Sequence, residues 1–293
     1  MRNSLKTELQ LLIFRNGSVI NLFIAINVFI FILVGLIHLG EWGMDRHHLG
    51  PYPIISWIEN FTILPASFKV FLTKPWTLLT YMFMHADVFH ILFNMIWLFF
   101  IGKIFEEYLG ERKFTFVYLI GGMMGGILVL ALYSLIPALE RDLQDQIMGA
   151  SAGVMAIVIA TATLLPNYSI FIVFIGSIPL KWIGLTYFIL DLILIPYGNA
   201  GGHIAHLGGA IFGFIYITQL NKGNDWAAPF IKLFQKKPKS HLKVVSRSVK
   251  LAPPIEKNKE QIVNEILDKI SKTGFKSLSE KEKQTLKKAS QDI

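Results

Sequence analysis

The sequence predicts an all-α membrane protein, a bundle of six transmembrane helices followed by a small cytoplasmic helical tail. Three observations carry that expectation. Apolar stretches recur that reach the roughly 20 residues a helix needs to cross about 30 Å of hydrocarbon. None shows the alternation of a barrel strand, and lipid admits only helices and closed barrels as spanning structures. The 293 residues are 53% hydrophobic with a mean hydropathy of +0.50, too apolar for a soluble domain of this size.

Taken in order, residues 1–18 form an N-terminal segment with Arg2, Lys6 and Arg15, expected in the cytoplasm. The first span runs over about Val19–Leu39. It lacks a small-residue cleavage pattern and reads as a signal anchor. A long connection, 41–76, scatters Trp42, Tyr52, Trp57, Phe61, Phe68, Phe71 and Trp76 among polar residues, a density that suits the headgroup zone. The second span is expected at Thr77–Ile101, with a polar first half, and the third at Phe114–Ile136. The fourth, Gly149–Leu165, is short. Tyr168–Leu180 is apolar but only about 13 residues long at roughly 1.5 Å each, too short to cross, and is read as a hairpin excursion. The fifth span is expected at Trp182–Pro196 and the sixth at Gly202–Leu220, which closes a membrane domain over 19–220.

Residues 221–255 read as a basic linker ending near Pro253-Pro254, and 256–293 as a helical hairpin. Ile262, Val263, Ile266, Leu267 and Ile270 make one apolar face. Thr273-Gly274 breaks that helix, and Ser279 with Glu282 reads as a capping box opening the next.

Charge and cysteine content narrow the function classes. There are no cysteines, which excludes disulfides, thiolate catalysis and cysteine-based metal sites. The net charge is +8, and residues 221–293 alone hold 17 Lys/Arg against 8 Asp/Glu. A basic tail beside a membrane favours the cytoplasmic side and anionic lipid headgroups. No aromatic interleaving supports nucleic-acid binding. Six spans put both termini on one side, together with Lys103, Arg112, Lys113 and Lys181. The starts of spans two, four and six then share the outer half of the bilayer.

Polar residues inside a bilayer are functional candidates. His90 and Asn94, four apart, share a helix face about 6 Å apart along the axis. They read either as interhelical hydrogen-bonding groups or as N–H donors converging on one oxyanion. Ser151 stands in Gly149-Ala150-Ser151-Ala152-Gly153, where glycines allow close backbone approach and an N–H near a helix start is free to donate. His206 is followed by Gly209 and Gly213, a smooth stripe that would seat span six on span four and turn His206, rather than His203, toward Ser151. Gly121, Gly122, Gly125 and Gly126 read as close-packing contacts. Asp191 is an intramembrane carboxylate that could orient a histidine, bind a proton, or pair within the bundle.

The order His90…Asn94, Gly-x-Ser151 and His206 before a glycine stripe, on spans two, four and six, resembles the rhomboid family of intramembrane serine proteases, in its bacterial form. The resemblance covers about residues 20–220, and Met84-His85, His90 through Asn94, and Glu106 with Leu109-Gly110 are especially close. It implies a six-helix rhomboid-like bundle and a serine endopeptidase, with Ser151 as nucleophile and His206 as general base. His90, Asn94 and the Ser151 backbone N–H would be the oxyanion stabilisers, and His85 a structural histidine. It implies no metal or cofactor, transmembrane protein substrates, and a bacterial inner membrane with both termini cytoplasmic. The chain departs from the pattern at Ala152, where many members have Gly, at Met155, where an aromatic often stacks on the histidine, and at Thr77, where Arg usually follows the Trp. Two rival classes remain. One is an inactive rhomboid-like protein that binds membrane clients. The other is a transporter or proton channel using His90, Asp191 and His206.

Overall fold

The computed structural model describes residues 18–44, 52–142, 146–172, 175–234 and 259–290. The basic residues expected in segment 1–18 and most of the expected linker lie outside these. The chain divides into two compact units, residues 1–236 and 237–293.

The first unit is a helical bundle with two short two-stranded pairings in its connections. Among the described residues, five helices are long and apolar enough to cross a membrane: α1 (Val19–Met44), α5 (Val88–Leu109), α6 (Glu111–Leu135), α8 (Leu180–Leu194, extended by a 3-10 turn to Tyr197) and α9 (Ala200–Asn221). Between them lie α2 (Pro53–Thr62), β1 (Leu64–Pro65), α3 (Phe68–Phe71), α4 (Thr77–Thr80) and β2 (Gln146–Ile147). The remaining apolar helix, α7 (Ser151–Leu164), has 14 residues and is buried along most of its length. At 1.5 Å per residue it covers about 21 Å, short of the roughly 30 Å of hydrocarbon, so at least one end is recessed.

Helices in lipid gain little from hydrophobic association and pack through small residues that let backbones touch. Here α7 is enclosed by α6 and α9. A Cβ on Gly209 would strike the Ala152 carbonyl, and one on Gly213 the Ala156 carbonyl. On α6, a Cβ on Gly121 would strike the Ala156 methyl, and one on Gly125 would lie 2.8 Å from the Ala152 methyl. The glycines at 121, 125, 209 and 213 thus act as the close-packing surface their spacing predicts. Ala152 fits because Gly125 leaves room for its methyl.

Carboxylates secure several helix starts. Glu106, near the end of α5, accepts from Ser18 Oγ (2.7 Å) and the Val19 N–H (3.1 Å), capping α1. Glu41 accepts from the Ile54 and Ile55 N–H groups (2.7 and 3.0 Å), capping α2. Unpaired first-turn donors are costly in apolar surroundings, and a charged acceptor satisfies them best. Gly110 joins α5 to α6 at φ +81°, a left-handed conformation that favours glycine.

Two expectations change. One span over Thr77–Ile101 is not formed: α4 and a 3-10 turn (Tyr81–Phe83) precede an irregular stretch, and the spanning helix starts at Val88. Asp87 sets that start by accepting the His90 N–H through its side chain (2.9 Å). The stretch read as a linker from 221 opens with a packed helix, α10 (Ala227–Phe234). Asp225 accepts from the Ala227 N–H (3.0 Å) and pairs with Lys113 (3.0 Å), and Phe230 lies 5.5 Å from Phe116, centroid to centroid. By contrast, Tyr168–Leu180 does not cross. It forms an antiparallel hairpin of β3 (Ser169–Ile172) and β4 (Gly176–Pro179) ahead of α8.

In the second unit, α11 (Lys259–Thr273) and α12 (Glu280–Ala289) form the expected hairpin. The Ser279–Glu282 capping box is complete, and Glu282 also binds Lys269 (2.7 and 3.0 Å). The Lys269 ammonium, then the Ser279 N–H and hydroxyl, hold the Glu282 carboxyl down at about 2.

Gly213→Ala should force α7 and α9 apart at a backbone contact. Overpacking of this kind costs about 1–3 kcal/mol, read as a lower Tm in detergent. Gly35→Ala, on an α1 face with nothing within 4 Å, is the control that should not lower it. A carboxyl with a depressed pKa stabilises fully above its unfolded value, here 4.5, and that contribution fades as pH falls toward 2. The protection of the α11 and α12 amides in the full chain, measured as hydrogen exchange relative to the intrinsic rate at each pH, should therefore fall between pH 4.5 and 2, and this fall should be smaller in Glu282→Gln.

Candidate active site

Ser151 is the first residue of α7 and His206 lies in the second turn of α9. The glycine stripe brings these helices to backbone contact, and the Ser151 Oγ lies 2.6 Å from His206 Nε2. The two are 55 residues apart in sequence, and their meeting shows that the starts of α7 and α9 share one depth. The other imidazole nitrogen, Nδ1, faces Asp191 Oδ1 on α8 at 2.9 Å. An acidic acceptor at Nδ1 keeps the proton there and leaves the Nε2 lone pair for the serine hydroxyl.

His203, one turn earlier on α9, donates from Nδ1 to the same Asp191 oxygen at 2.8 Å. Asp191 is buried, and its Oδ2 has no hydrogen-bond partner among the described residues. The sequence left Asp191 with several roles and made no connection to His203. The i, i+3 spacing of the two histidines was the available sign. Their ligand atoms and that of Asp191 lie within 4.8 Å of one another, the spacing at which a metal could be held. The 2.8 and 2.9 Å separations are those of hydrogen bonds.

His90 stands on α5 across a shared cavity. The Ala86 N–H points to its Nδ1 (3.4 Å), which leaves Nε2 to carry the proton of the neutral ring. That nitrogen faces the residues around Ser151. A Cβ on Gly149 would lie 2.7 Å from His90 Nε2 and 3.4 Å from Ser151 Oγ. Gly149 is held at φ +128° by its N–H bond to the Tyr81 carbonyl (2.9 Å), so only glycine meets both the space and the backbone conformation. Asn94, one turn below, donates one amide hydrogen to the His90 carbonyl (2.8 Å) and has a second to offer the cavity it lines. The Ser151 N–H belongs to the first turn, where no intrahelical carbonyl can accept it.

Sequence reasoning passed over the loop that aims these groups. The Ala150 N–H points to His85 Nε2 (3.4 Å), which gives His85 a positioning contact beneath the serine. The hydroxyl of buried Tyr81 donates to the Gly122 carbonyl (2.7 Å), tying this loop to α6. Leu64 and Pro65 pair with Ile147 and Gln146, so the first long connection is stitched to the residues just before Ser151. Thr77 faces inward and bonds the Lys74 carbonyl (2.7 Å).

The cavity has a volume of about 720 Å³ and opens between α5, α7, α8 and α9. Ser151, His206, His90, Asn94 and Asp191 are among its polar groups, with Asp87, Gln146 and Asn199, and Phe93, Trp97 and Tyr187 are among its aromatic walls. Met155 lines it too, in place of a stacking aromatic. A hydroxyl, an imidazole and N–H donors converge on this cavity.

Comparison with known proteins gives the family. Residues 72–222 match the rhomboid domain, and 256–292 match a family of unknown function (DUF6576). Among curated relatives, the chain is 29% identical to RHOMBOID-like protein 12, mitochondrial, of Arabidopsis thaliana, over 57% of this chain and 52% of that one. It is 29% identical to RHOMBOID-like protein 1 of the same plant, over 63% and 47%. Against the human presenilin-associated rhomboid-like protein, mitochondrial, it is 31% identical over 55% and 41%. The chain thus spans about half the length of the curated relatives it matches. The rhomboid match takes in just over half of this chain, including every cavity-lining side chain from His90 to His206, and with its membrane-spanning helices the protein is an integral membrane member of the rhomboid family.

Proposed function

We propose that the protein is an intramembrane serine endopeptidase that cleaves transmembrane segments of other membrane proteins. The observation that carries this reading is the 2.6 Å contact of Ser151 Oγ with His206 Nε2 inside a cavity whose far wall presents His90 and Asn94.

His206 removes the Ser151 proton, and the alkoxide attacks the scissile carbonyl. Charge develops on the carbonyl oxygen, where His90 Nε2–H, the Asn94 amide and the Ser151 N–H are positioned to donate. His206 then protonates the leaving amine, and water resolves the acyl-enzyme. The short α7 serves this chemistry, because a recessed start leaves room for water below the membrane surface. A substrate helix must unwind to present its peptide bond, so segments with small or helix-weakening residues near the outer end are the favoured substrates. The same reading puts both termini in the cytoplasm, since six crossings would collect Lys103, Arg112, Lys113, Lys181 and the Lys-rich tail on one face, and the resemblance to bacterial members makes a bacterial inner membrane the proposed location.

Ser151→Ala should abolish both cleavage of a reporter transmembrane substrate and labelling by a fluorophosphonate. His90→Ala and Asn94→Ala should each lower kcat by about 10²-fold, the usual loss for one oxyanion donor. A wild-type protein that neither cleaves nor labels would point to a client-binding role. A proton flux lost with Ser151 intact would point to a channel. A fluorescent-protein fusion at the C-terminus should glow, and a periplasmic phosphatase fusion there should be silent; the reverse pattern overturns the orientation.

A further inference from the structure

We infer that Asp191 is a positioning residue for the base, completing a Ser151–His206–Asp191 triad in a family whose pattern requires only the serine and histidine. The inference rests on the endopeptidase reading above and concerns how its base is held.

Four observations converge. His206 is bound at both ring nitrogens, by Ser151 Oγ at 2.6 Å and by Asp191 Oδ1 at 2.9 Å, so one carboxylate and one hydroxyl fix its rotation and tautomer together. The three residues come from three helices, α7, α8 and α9, so the alignment is a property of the bundle rather than of a local turn. Asp191 is buried and lines the same cavity as Ser151, while the face of α8 beside it, with Leu192 and Ile193, is exposed apolar surface. His203 gives the carboxylate a second N–H donor at 2.8 Å, on the oxygen that His206 uses.

The chemistry follows from that geometry. When His206 accepts the Ser151 proton its ring becomes a cation, and Asp191 is the only carboxylate among the described residues within hydrogen-bond distance of it. The carboxylate keeps Nδ1–H aimed at itself throughout, so Nε2 alone exchanges the proton. Position 155 holds Met instead of an aromatic that would stack on the imidazole, and Asp191 supplies from the ring edge the restraint that stacking would supply from its face. His203 steers the carboxylate: by holding Oδ1 it turns that oxygen toward His206.

Steady-state kinetics on a reporter transmembrane substrate in detergent or liposomes tests this, with Ser151→Ala as the zero. Asp191→Asn should lower kcat by about 10²-fold or more with KM changed less than about threefold, because the triad acid acts on the base and not on binding. Asp191→Glu should recover part of that kcat, which a purely structural loss would not allow. His203→Ala should cost about tenfold in kcat, less than loss of the carboxylate, because it acts one step further from the proton. If Asp191→Asn does not fold, Asp191→Ala carries the same expectation. A folded Asp191→Asn or Asp191→Ala with kcat within about threefold of wild type, beside an inactive Ser151→Ala, overturns the triad and leaves the endopeptidase standing. Equal loss of kcat in Asp191→Glu and Asp191→Asn, tracking a fall in Tm, overturns it as well. A wild type as inactive as Ser151→Ala removes the endopeptidase reading itself, and the triad with it.

Discussion

The backbone approach of α7 and α9 is the constraint on which the rest of the molecule depends. Gly209 lies under the Ala152 carbonyl and Gly213 under the Ala156 carbonyl, with no side chain between. That contact sets the interhelical distance, and the distance sets the 2.6 Å separation of Ser151 and His206. One methylene more would be felt as a displacement of both reacting atoms. Lipid tails are as apolar as the helix surfaces, so such a contact is held mainly by van der Waals fit, with interhelical hydrogen bonds such as Ser151–His206 added to it. Gly121 and Gly125 of α6 repeat the device on another side of α7. A 14-residue helix too short to anchor itself by length is thus anchored by its neighbours.

Asp191 shows how a charged group is accommodated inside the bundle. A carboxylate at mid-membrane costs about 2.5–3.5 kcal/mol on insertion scales. Two hydrogen bonds to a charged acceptor, each contributing about 1.5–3 kcal/mol, are enough to offset that. Asp191 receives two, from His203 and His206. The same rule is visible toward the ends of the bundle, where Glu41, Glu106, Asp87 and Asp225 each accept backbone N–H groups at a helix start. Glu41, Glu106, Asp87 and Asp225 thus cap helices, and Asp191 holds two histidines.

The loop before α7 turns these supports into a site. Gly149 takes a positive φ, hands its N–H to Tyr81, and leaves the space that His90 Nε2 occupies. The pairing of Leu64–Pro65 with Gln146–Ile147 secures that loop from the other side. A side chain at 149 would push the imidazole and the serine apart, which accounts for glycine there independently of any helix packing.

Much of this architecture is legible in the amino-acid sequence. Hydropathy locates the spanning helices, because about twenty apolar residues in a row have few alternatives. The Gly-x-Ser151 turn, the His90–Asn94 face and the His206 glycine stripe are local patterns, and the short length of Tyr168–Leu180 keeps it out of the membrane. Helix ends are less legible. Hydropathy averages over a window, whereas the start of α5 at Val88 is decided by one hydrogen bond to Asp87, and the helix after Asn221 by one cap at Asp225. Asp191 illustrates the deeper limit. Its cost in lipid announces a role, but which histidine it meets depends on the rotation of α8 against α9, a quantity no linear pattern records. The sequence by itself determined where the apolar helices lie, though not all their ends, and the family and the residues capable of chemistry, since these follow from composition and local spacing. Only the tertiary structure decided that Ser151, His206, Asp191 and His203 form one connected line, because contacts across three helices are set by packing that becomes definite only when the bundle closes.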